Sequence, residues 1–315
     1  MKIVVAGALG HIGSRLIREF PKEFPGCEVI MIDNMLTQRY CSLFDLPKGV
    51  NYKFIEADVT QVELAPLMHG VDIVVHLAAI TDATWSLGNA EAIEQNNFLA
   101  TKRIAEACIK VGARLIVPSS TSVYTPHSSL VDEYCLEAEL QPKNPYALTK
   151  LKEESLIQQL VKFQGLRACV FRFGTVFGPS PGMRFHTAVN KFCWQAVMGQ
   201  SLTVWSTAYD QKRPYLDLSD ACNSIIHVIR NELFDGNVYN VLTLNATVRD
   251  IVETIRIHIP ELHVNFVVSQ VMNDLSYEVS SAKIVNTSFT PSGSLARSLA
   301  DELQLIAPFK INSVN

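Results

Sequence analysis

The sequence predicts an α/β fold built on a doubly wound parallel sheet. Short apolar runs alternate with stretches of helical periodicity along the chain, which is the pattern that parallel sheets require. The first apolar run, at residues 3–6, ends at Gly7 and is followed by Gly10, Gly13 and a helical pattern. A strand, a glycine turn and a helix in this order indicate the phosphate-binding start of a Rossmann-type sheet.

The same alternation predicts the later elements. We expect strands at 29–32, 52–55, 72–79, 114–117 and 238–241 and helices at about 90–111, 146–163 and 248–259. Pro260 ends the last of these helices. We place a domain boundary near residue 175, so that a Rossmann domain spans 1–175 and a smaller C-terminal α/β domain spans 176–315. Some segments of the second domain are expected to return to the first.

Composition and charge exclude several classes of protein. A chain of 315 residues that is 48% hydrophobic and 18% charged can bury a large core. Its net charge of −4 and its lack of a long Lys/Arg cluster argue against a nucleic-acid partner. No apolar stretch reaches the roughly 20 residues that span a bilayer, and no plain signal sequence opens the chain. We therefore expect a cytoplasmic enzyme with no membrane partner.

The seven cysteines give no sign of a metal site. They are scattered without a C-x-x-C pair or a histidine at metal-ligand spacing, and their number is odd. We expect buried free thiols and no metal.

The glycine turn and an acid that follows it predict the cofactor. At Gly7, Gly10 and Gly13 the backbone can approach a pyrophosphate that sits on the helix N-terminus. Asp33 ends the second apolar run, 20 residues after Gly13 (33 − 13). An acid at this place binds the adenosine ribose hydroxyls and repels a 2′-phosphate, so NAD is favoured over NADP.

Tyr146 and Lys150 form the candidate catalytic pair. Residues four apart share a helix face, so the Lys150 ammonium can favour the Tyr146 phenolate. Removal of a hydride from a carbinol needs such a base beside the nicotinamide.

Taken with further motifs, these features resemble the extended short-chain dehydrogenase/reductases, the NAD-dependent epimerase/dehydratase family that acts on nucleotide sugars. The resemblance runs nearly end to end and also rests on 33–34, 58–59, 76–79, Asn97, 119–124, 144–150, 172–179 and 213–220.

The resemblance implies roles for individual residues. Tyr146 would be the base, Lys150 would lower its pKa and hold the nicotinamide ribose, and Ser120 would hydrogen-bond the reacting sugar oxygen. The implied NAD-binding residues are Gly7, Gly10, His11, Ile12, Gly13, Asp33, Asn34, Asp58, Val59, Leu77, Ala78, Ala79, Asn97, Tyr146 and Lys150. The implied substrate-binding residues are Thr81, Ser120, Thr121, Ser122, Thr175, Arg184, His186, Arg213 and Gln270. A nucleotide-diphosphate sugar would be the substrate, and a homodimer is expected through the 90–111 and 146–163 helices.

The segment after Ser120 favours one reaction within the family. Dehydratases of the family carry an Asp-Glu pair there, where this chain has Thr121 and Ser122. The Glu of the decarboxylases and the Cys of the fucose synthases are also missing, and only His186 is left as a proton-transfer candidate. The remaining chemistry resembles that of a 4-epimerase, which oxidises C4 and returns the hydride to the opposite face. A dehydrogenase or ketoreductase and a non-catalytic NAD-binding regulator stay open as alternatives.

Two positions depart from the family pattern. Gln270 stands where a second diphosphate-binding Arg is common, and Thr175 stands where an Asn usually contacts the substrate. We expect Arg184 to replace the missing cation.

Overall fold

The alternation of strands and helices is confirmed in a computed structural model, which describes residues 1–81, 88–126, 128–142, 144–268 and 276–307. The first half carries, in chain order, β1 (Lys2–Ala6), α1 (His11–Glu23), β2 (Glu28–Asp33), β3 (Asn51–Glu56), α2 (Leu64–Leu67), β4 (Ile73–His76), α3 (Ala90–Ile93), a π-helical segment (Glu94–Phe98), α4 (Leu99–Val111), β5 (Arg114–Ser120), β6 (Leu130–Val131) and α5 (Pro145–Gln164). The second half carries β7 (Ala168–Phe173), β8 (Thr175–Phe177), α6 (Ala188–Val197), β9 (Leu202–Trp205), β10 (Arg213–Asp217), α7 (Leu218–Arg230), β11 (Val238–Val241), β12 (Leu244–Ala246), α8 (Val248–His258), β13 (Val264–Val267), β14 (Glu278–Val279), α9 (Ala282–Val285) and α10 (Leu295–Ile306). Short 3₁₀ helices lie at Tyr40–Leu43, Thr121–Val123, Glu137–Glu139 and Ser206–Ala208.

Within the described residues, seven strands form the central sheet in the order β11-β7-β5-β4-β1-β2-β3. Every neighbouring pair in this sheet is parallel. The order 3-2-1-4-5 around β1 is that of a doubly wound Rossmann sheet. The predicted fold class is therefore confirmed.

Successive strand residues pack on opposite faces of this sheet, as the period of two requires. Ile3 and Val5 of β1 join a core that includes α1 and α7, whereas Val4 and Ala6 join one that includes α4 and α5. The central sheet is thus covered by helices on both faces, which explains why its inner strands β1, β2 and β4 are almost continuously buried.

The C-terminal half forms a separate apolar cluster in which α6, α8 and α10 pack around smaller sheets. Those sheets have the orders β12-β10-β8 and β13-β9, whereas the β14-β6 sheet packs in another apolar cluster with Tyr124 and Tyr277. The chain leaves the central sheet between Phe173 and Thr175, and β11 later returns to its edge. The domain boundary near residue 175 stays a prediction that this path favours.

One predicted strand is too long. The 72–79 strand ends at His76, because 77–79 turn away from the sheet to line a groove above its carboxyl edge. The predicted 90–111 helix is helical throughout but contains the π-helical segment at its centre.

The prediction for the cysteines holds for five of the seven, which are buried free thiols, while Cys41 is exposed and Cys135 is half-buried. Within the described ranges, no helix is long and apolar enough to cross a bilayer.

Candidate active site

The glycine turn after β1 leaves room for a ligand phosphate. Gly7 has φ 77°, and a Cβ there would lie 2.5 Å from the Ala78 nitrogen, so a side chain is excluded. A Cβ at Gly13 would lie 2.5 Å from the Gly7 carbonyl oxygen, so α1 packs directly on the turn. Gly10 precedes α1 and supplies no side-chain cap. The N–H groups of the first turn and the helix dipole are thus available to an anion.

Asp33 is held beside this turn at the end of β2. One carboxylate oxygen accepts the Leu9 N–H at 3.0 Å and the other accepts the Met35 N–H at 3.0 Å. Each oxygen keeps a second lone pair. The fixed carboxylate can therefore accept hydrogen bonds from ribose hydroxyls, as the sequence predicts.

Asp58 forms the next part of the groove. It accepts hydrogen bonds from the Thr60 N–H at 2.8 Å and hydroxyl at 2.6 Å, and from the Asn34 amide at 3.4 Å. Partial burial alone would raise the Asp58 pKa, but these hydrogen bonds lower it overall. Asp58 is therefore an ionised acceptor near neutral pH.

The groove runs along the carboxyl edge of the central sheet. Nine of the predicted NAD-binding residues line it: Gly7, Gly10, Asp33, Asn34, Asp58, Val59, Leu77, Ala78 and Ala79. Six others do not: His11, Ile12, Gly13, Asn97, Tyr146 and Lys150. The shape and donor set of this groove fit the adenosine and pyrophosphate part of NAD.

The Asn97 side chain is committed to the backbone rather than to the groove. Its carbonyl accepts the Ile80 N–H at 2.8 Å, and its amide donates to the Ile80 carbonyl at 2.9 Å. Asn96 and Ala100 line the groove instead. Asn97 thus fixes the chain that follows β4.

Arg39 is a groove residue that the sequence motifs missed. It lines the groove, and a Cβ at Gly10 would lie 3.8 Å from its Nη1 atom. Burial lowers the Arg39 pKa, and the nearby Asp33 carboxylate opposes that effect. Its guanidinium is placed to contact a cofactor phosphate. The signal available in the sequence is an arginine in the loop after Asp33.

Helix α5 presents the predicted catalytic pair. The Asn144 side chain caps the helix by accepting the Ala147 N–H at 2.8 Å, and Pro145 opens the first turn. This start places half-buried Tyr146 in the first turn and buried Lys150 one turn later. Lys150 Nζ lies 6.0 Å from the centre of the Tyr146 ring. The structure thus keeps the ammonium on the side of the phenol, as the spacing predicts.

Ser120 ends β5 and is oriented by its neighbours. Its Oγ accepts hydrogen bonds from the Ser122 N–H at 3.1 Å and the Ser122 hydroxyl at 2.9 Å. The Thr121 hydroxyl is buried and donates to the Phe173 carbonyl at 3.3 Å. Of these side chains, Ser120 and Ser122 are the partly exposed ones.

A buried network stands behind these residues. Glu154 of α5 accepts the Ser119 hydroxyl at 2.5 Å and forms an ion pair with Arg172 of β7 at 2.7 Å. Arg172 also donates to the Tyr124 hydroxyl at 2.9 Å, which in turn donates to Asn240 of β11 at 2.8 Å. Burial opposes the charge on Arg172, but Glu154 raises its pKa overall. The network fixes α5 against the strand that carries Ser120.

Two predicted substrate residues meet at the mouth of the site. Arg184 Nη1 donates a hydrogen bond to the Thr81 hydroxyl, although the two residues are 103 positions apart in the chain. The structure thus brings together two residues that were predicted separately to bind the substrate.

Arg213 is the first residue of β10 and contacts Tyr277. Its guanidinium lies 5.1 Å from the centre of the Tyr277 ring and donates to the Gln211 side chain at 2.9 Å. The Tyr277 hydroxyl donates to the Thr121 carbonyl at 3.2 Å, so Tyr277 links Arg213 to the residue that follows Ser120. Thr175 pairs with Tyr215 in the adjoining sheet. Gln270 lies outside the described residues.

The His11 imidazole is turned away from the groove. Its Nε2 atom lies 2.7 Å from the Gly178 carbonyl oxygen, in a buried position. Burial and then Arg184 lower the His11 pKa to about 3, with a smaller effect from His186. His11 is therefore a neutral donor to the substrate-side loop, and only its backbone belongs to the glycine turn.

That loop, at 178–184, packs directly on the glycine turn. The Ser180 hydroxyl donates to the His11 carbonyl at 2.9 Å, and the Gly182 N–H donates to the Ser14 hydroxyl at 2.9 Å. A Cβ at Gly182 would lie 2.6 Å from the Gly10 carbonyl oxygen. We call 178–184 the covering loop, because it closes over the turn that would hold the pyrophosphate.

The sequence and the fold match known proteins. A family model described as NAD dependent epimerase/dehydratase family matches residues 3–241. An uncharacterized UDP-glucose epimerase of Bacillus subtilis is 32% identical over 250 residues, which cover 76% of each chain. A trifunctional UDP-glucose 4,6-dehydratase/3,5-epimerase/reductase of Arabidopsis thaliana is 28% identical over 301 residues, 90% of this chain but 43% of that protein. The chain thus spans about two fifths of the plant protein.

A solved structure is similar over the whole chain. It is the UDP-glucuronic acid 4-epimerase from Bacillus cereus, crystallised with UDP-glucuronic acid and NAD. The TM-score is 0.89 at 26% identity, over 98% of this chain and 100% of the other.

Proposed function

Since the chain belongs to the NAD dependent epimerase/dehydratase family, we propose that it is a nucleotide-sugar 4-epimerase that carries its own NAD. NAD is the cofactor of the family and is bound in the similar solved structure. The finer assignment depends on which proton-transfer groups stand beside Tyr146.

The observation that carries the proposal is the environment of Thr121 and Ser122. Thr121 directs its hydroxyl to the Phe173 carbonyl, and Ser122 directs its hydroxyl to Ser120. Dehydratases of this family use an acid and a carboxylate at these two positions to eliminate water. Hydroxyl groups that are hydrogen-bonded in this way do not supply that acid and base. Oxidation and reduction at one carbon, with Tyr146 as base, remain supported.

The residues of the site then have simple tasks. NAD, when bound, supplies the hydride acceptor and donor. Tyr146 takes the proton of the sugar hydroxyl as the C–H bond breaks, and returns it when the hydride comes back to the other face of the ketose. Ser120 donates a hydrogen bond to the reacting oxygen in both directions. No net redox change results.

The covering loop favours an enzyme that keeps its cofactor between the two half-reactions. An epimerase must return the hydride to the same sugar, whereas a dehydrogenase must exchange NADH after each turnover. Contacts from His11, Ser180 and Gly182 join this loop to the glycine turn and α1. We propose that these contacts slow the release of NAD.

Uridine diphosphate is the nucleotide that we propose first. The Bacillus subtilis relative is named for UDP-glucose, and the Bacillus cereus structure holds UDP-glucuronic acid. In this chain, Arg213 and Arg184 are the cations proposed to bind the diphosphate or sugar, since planar guanidinium groups suit bidentate phosphate and carboxylate contacts. His186 and Thr175 are proposed as neighbouring sugar or nucleotide contacts.

A homodimer through α4 and α5 is proposed as the working assembly. These helices carry exposed apolar side chains, including Leu99, Leu148 and Phe163, which a second copy could cover. Light scattering on the purified protein tests this, and a monomeric mass at micromolar concentration would contradict it.

The proposed activity is tested by incubating the purified protein with UDP-, dTDP-, GDP- and CDP-sugars and no added cofactor. Proton NMR follows the anomeric signals. Conversion of one sugar to its C4 epimer, without stoichiometric NADH, would support the proposal and identify the substrate. A ketose or reduced product that forms only after NAD or NADH is added would instead identify a dehydrogenase or ketoreductase. Loss of water to a 4-keto-6-deoxy sugar would identify a dehydratase.

A further inference from the structure

Two consecutive glutamates on α5 form separate buried ion pairs. Glu154 pairs with Arg172, as described above. Glu153 pairs with the predicted catalytic lysine, with its Oε2 atom 2.8 Å from Lys150 Nζ. The side chains of Lys150 and Glu153 are only 6% and 1% exposed. Water therefore screens this pair very little, and the carboxylate acts on the ammonium at nearly full strength.

The Glu153 carboxylate is itself held in place from α4 and β4. The Thr101 hydroxyl lies 2.9 Å from Glu153 Oε2, and His76 Nε2 lies 3.0 Å from the same hydroxyl. An ionised carboxylate only accepts hydrogen bonds, so Thr101 donates to Glu153 and accepts from the His76 Nε2–H. Burial and then Lys150 lower the His76 pKa to about 3, so the ring is neutral.

The hydrogen bonds from His76 to Thr101 and from Thr101 to Glu153 fix the position of the Lys150 ammonium. Lys150 Nζ has three donors. One is committed to Glu153 at 2.8 Å, while the centre of the Tyr146 ring lies 6.0 Å from the same nitrogen. The other two donors remain for the ribose and the phenol. Rotation of the Lys150 side chain toward Tyr146 would break a buried charge-assisted hydrogen bond.

We infer that Glu153 is a positioning residue that aims Lys150 and keeps it charged for catalysis. This inference deepens the proposed epimerase function and rests on it for the role of Lys150. The titratable groups that face Lys150 from the packed elements are Tyr146, Glu153 and Glu154 on α5 and His76 on β4. Glu154 is committed to Arg172 and His76 is neutral, so Glu153 supplies the direct counter-charge.

The charge balance around Lys150 gives the expected pH dependence. Burial alone lowers the Lys150 pKa, but Glu153, followed by Tyr146 and Glu154, raises it overall. With Glu153 present, the ammonium persists into alkaline solution. Without that carboxylate, burial dominates and the ammonium loses its proton at lower pH. A neutral amine can no longer favour the Tyr146 phenolate.

The test compares Glu153→Gln with the wild-type enzyme in kcat for epimerisation from about pH 6 to about pH 10. The alkaline limb is the part of the profile in which kcat falls at high pH. In the variant we expect this fall to occur at a pH lower by at least about one unit. The change in kcat at neutral pH should be smaller. Glu153→Asp, which restores the charge, should move the limb back toward wild type. Glu253→Gln, which removes an exposed i,i+3 pair with Arg256, is the matched control and should leave the profile unmoved. A Glu153→Gln profile parallel to wild type would overturn the inference.

Thr101→Val separates charge from packing. It keeps the carboxylate and removes only the hydroxyl that orients it, so kcat should fall while the alkaline limb stays in place. A limb shift equal to that of Glu153→Gln would assign the effect to packing and overturn the inference. This variant also serves if Glu153→Gln does not fold.

A substrate-independent measurement distinguishes failure of this inference from failure of the proposed function. The 13Cε signal of Lys150 in lysine-labelled protein, assigned by its loss in Lys150→Arg, reports the ammonium directly. Its titration midpoint should be lower in Glu153→Gln by at least about one pH unit. Equal midpoints would overturn the inference even if no nucleotide sugar is turned over.

Discussion

Glu302 is a buried acid whose replacement by Gln should stabilise the protein more as the pH rises. It lies in α10, is 0% exposed, and packs where α10 contacts α6. Both of its carboxyl oxygens are buried, and neither has a hydrogen-bond partner within the described part of the chain. Burial raises the Glu302 pKa to about 8, and the nearby Cys193 thiol, a weak donor, opposes this only in part.

The sign and size of the effect follow from proton linkage. An unburied glutamate has a pKa of 4.5, so between that pH and about 8 the folded chain holds a proton that the unfolded chain has lost. The free energy of unfolding therefore falls as pH rises through this window, by about 1.4 kcal/mol per unit. The 3.5 units between 4.5 and about 8 set a ceiling of about 5 kcal/mol. Glutamine does not titrate, so Glu302→Gln lacks this loss.

Urea unfolding of NAD-free protein at about pH 5.5 and about pH 8.5 measures the difference. We expect Glu302→Gln to be more stable than wild type at the higher pH, with a gap of a few kcal/mol that shrinks toward the lower pH. Asp301→Asn, at the exposed neighbouring position of α10, is the control and should follow the wild-type pH dependence. If Glu302→Gln and wild type lose stability in parallel across this range, the carboxyl group is not protonated by burial and the reasoning is wrong.

Three further variants test the site. Tyr146→Phe should lower kcat by at least about 100-fold while purified protein keeps its NAD; equal turnover by NMR would remove Tyr146 as the base. Asp33→Ala should weaken NAD binding and reduce the ratio of the affinities for NAD and NADP, because Arg39 stays in the groove to meet a 2′-phosphate. Unchanged affinities by calorimetry would contradict the contact between Asp33 and the ribose. Gly182→Ala should release NAD roughly 10-fold faster on dialysis, since its Cβ would lie 2.6 Å from the Gly10 carbonyl oxygen; wild-type retention would show that the covering loop does not hold the cofactor.

The fold was accessible from the sequence because local signals agreed with it. The apolar run before Gly7 is β1, the acid at its predicted distance ends β2, and the Tyr146 pattern opens α5. Each of these signals lies within one strand, turn or helix, where periodicity and turn chemistry determine the local structure.

Contacts between distant segments were not accessible. His11 stands in the glycine turn by sequence, yet its imidazole binds Gly178, 167 residues away. Arg39 lies in an irregular loop whose direction no periodicity reports, so its place in the groove required the fold. Glu153 and Glu154 are adjacent and chemically identical, and helical spacing brings either one near Lys150. Only the packing of α5 on α4, β5 and β7 decides which glutamate pairs with which cation.

The two ion pairs of α5 also indicate what the buried charges are for. A buried ion pair gives little net stability, because the cost of removing both charges from water offsets their attraction. Thus the pair of Glu154 with Arg172 and the pair of Glu153 with Lys150 are poorly explained as contributions to folding free energy. Each instead fixes a position: the first holds α5 against the strand that carries Ser120, and the second holds the Lys150 ammonium 6.0 Å from the centre of the Tyr146 ring. The positions of these groups therefore depend in part on Glu153 and Glu154, which lie outside the family motifs, and substitution of Glu153 should alter kcat and its pH dependence before it alters NAD binding.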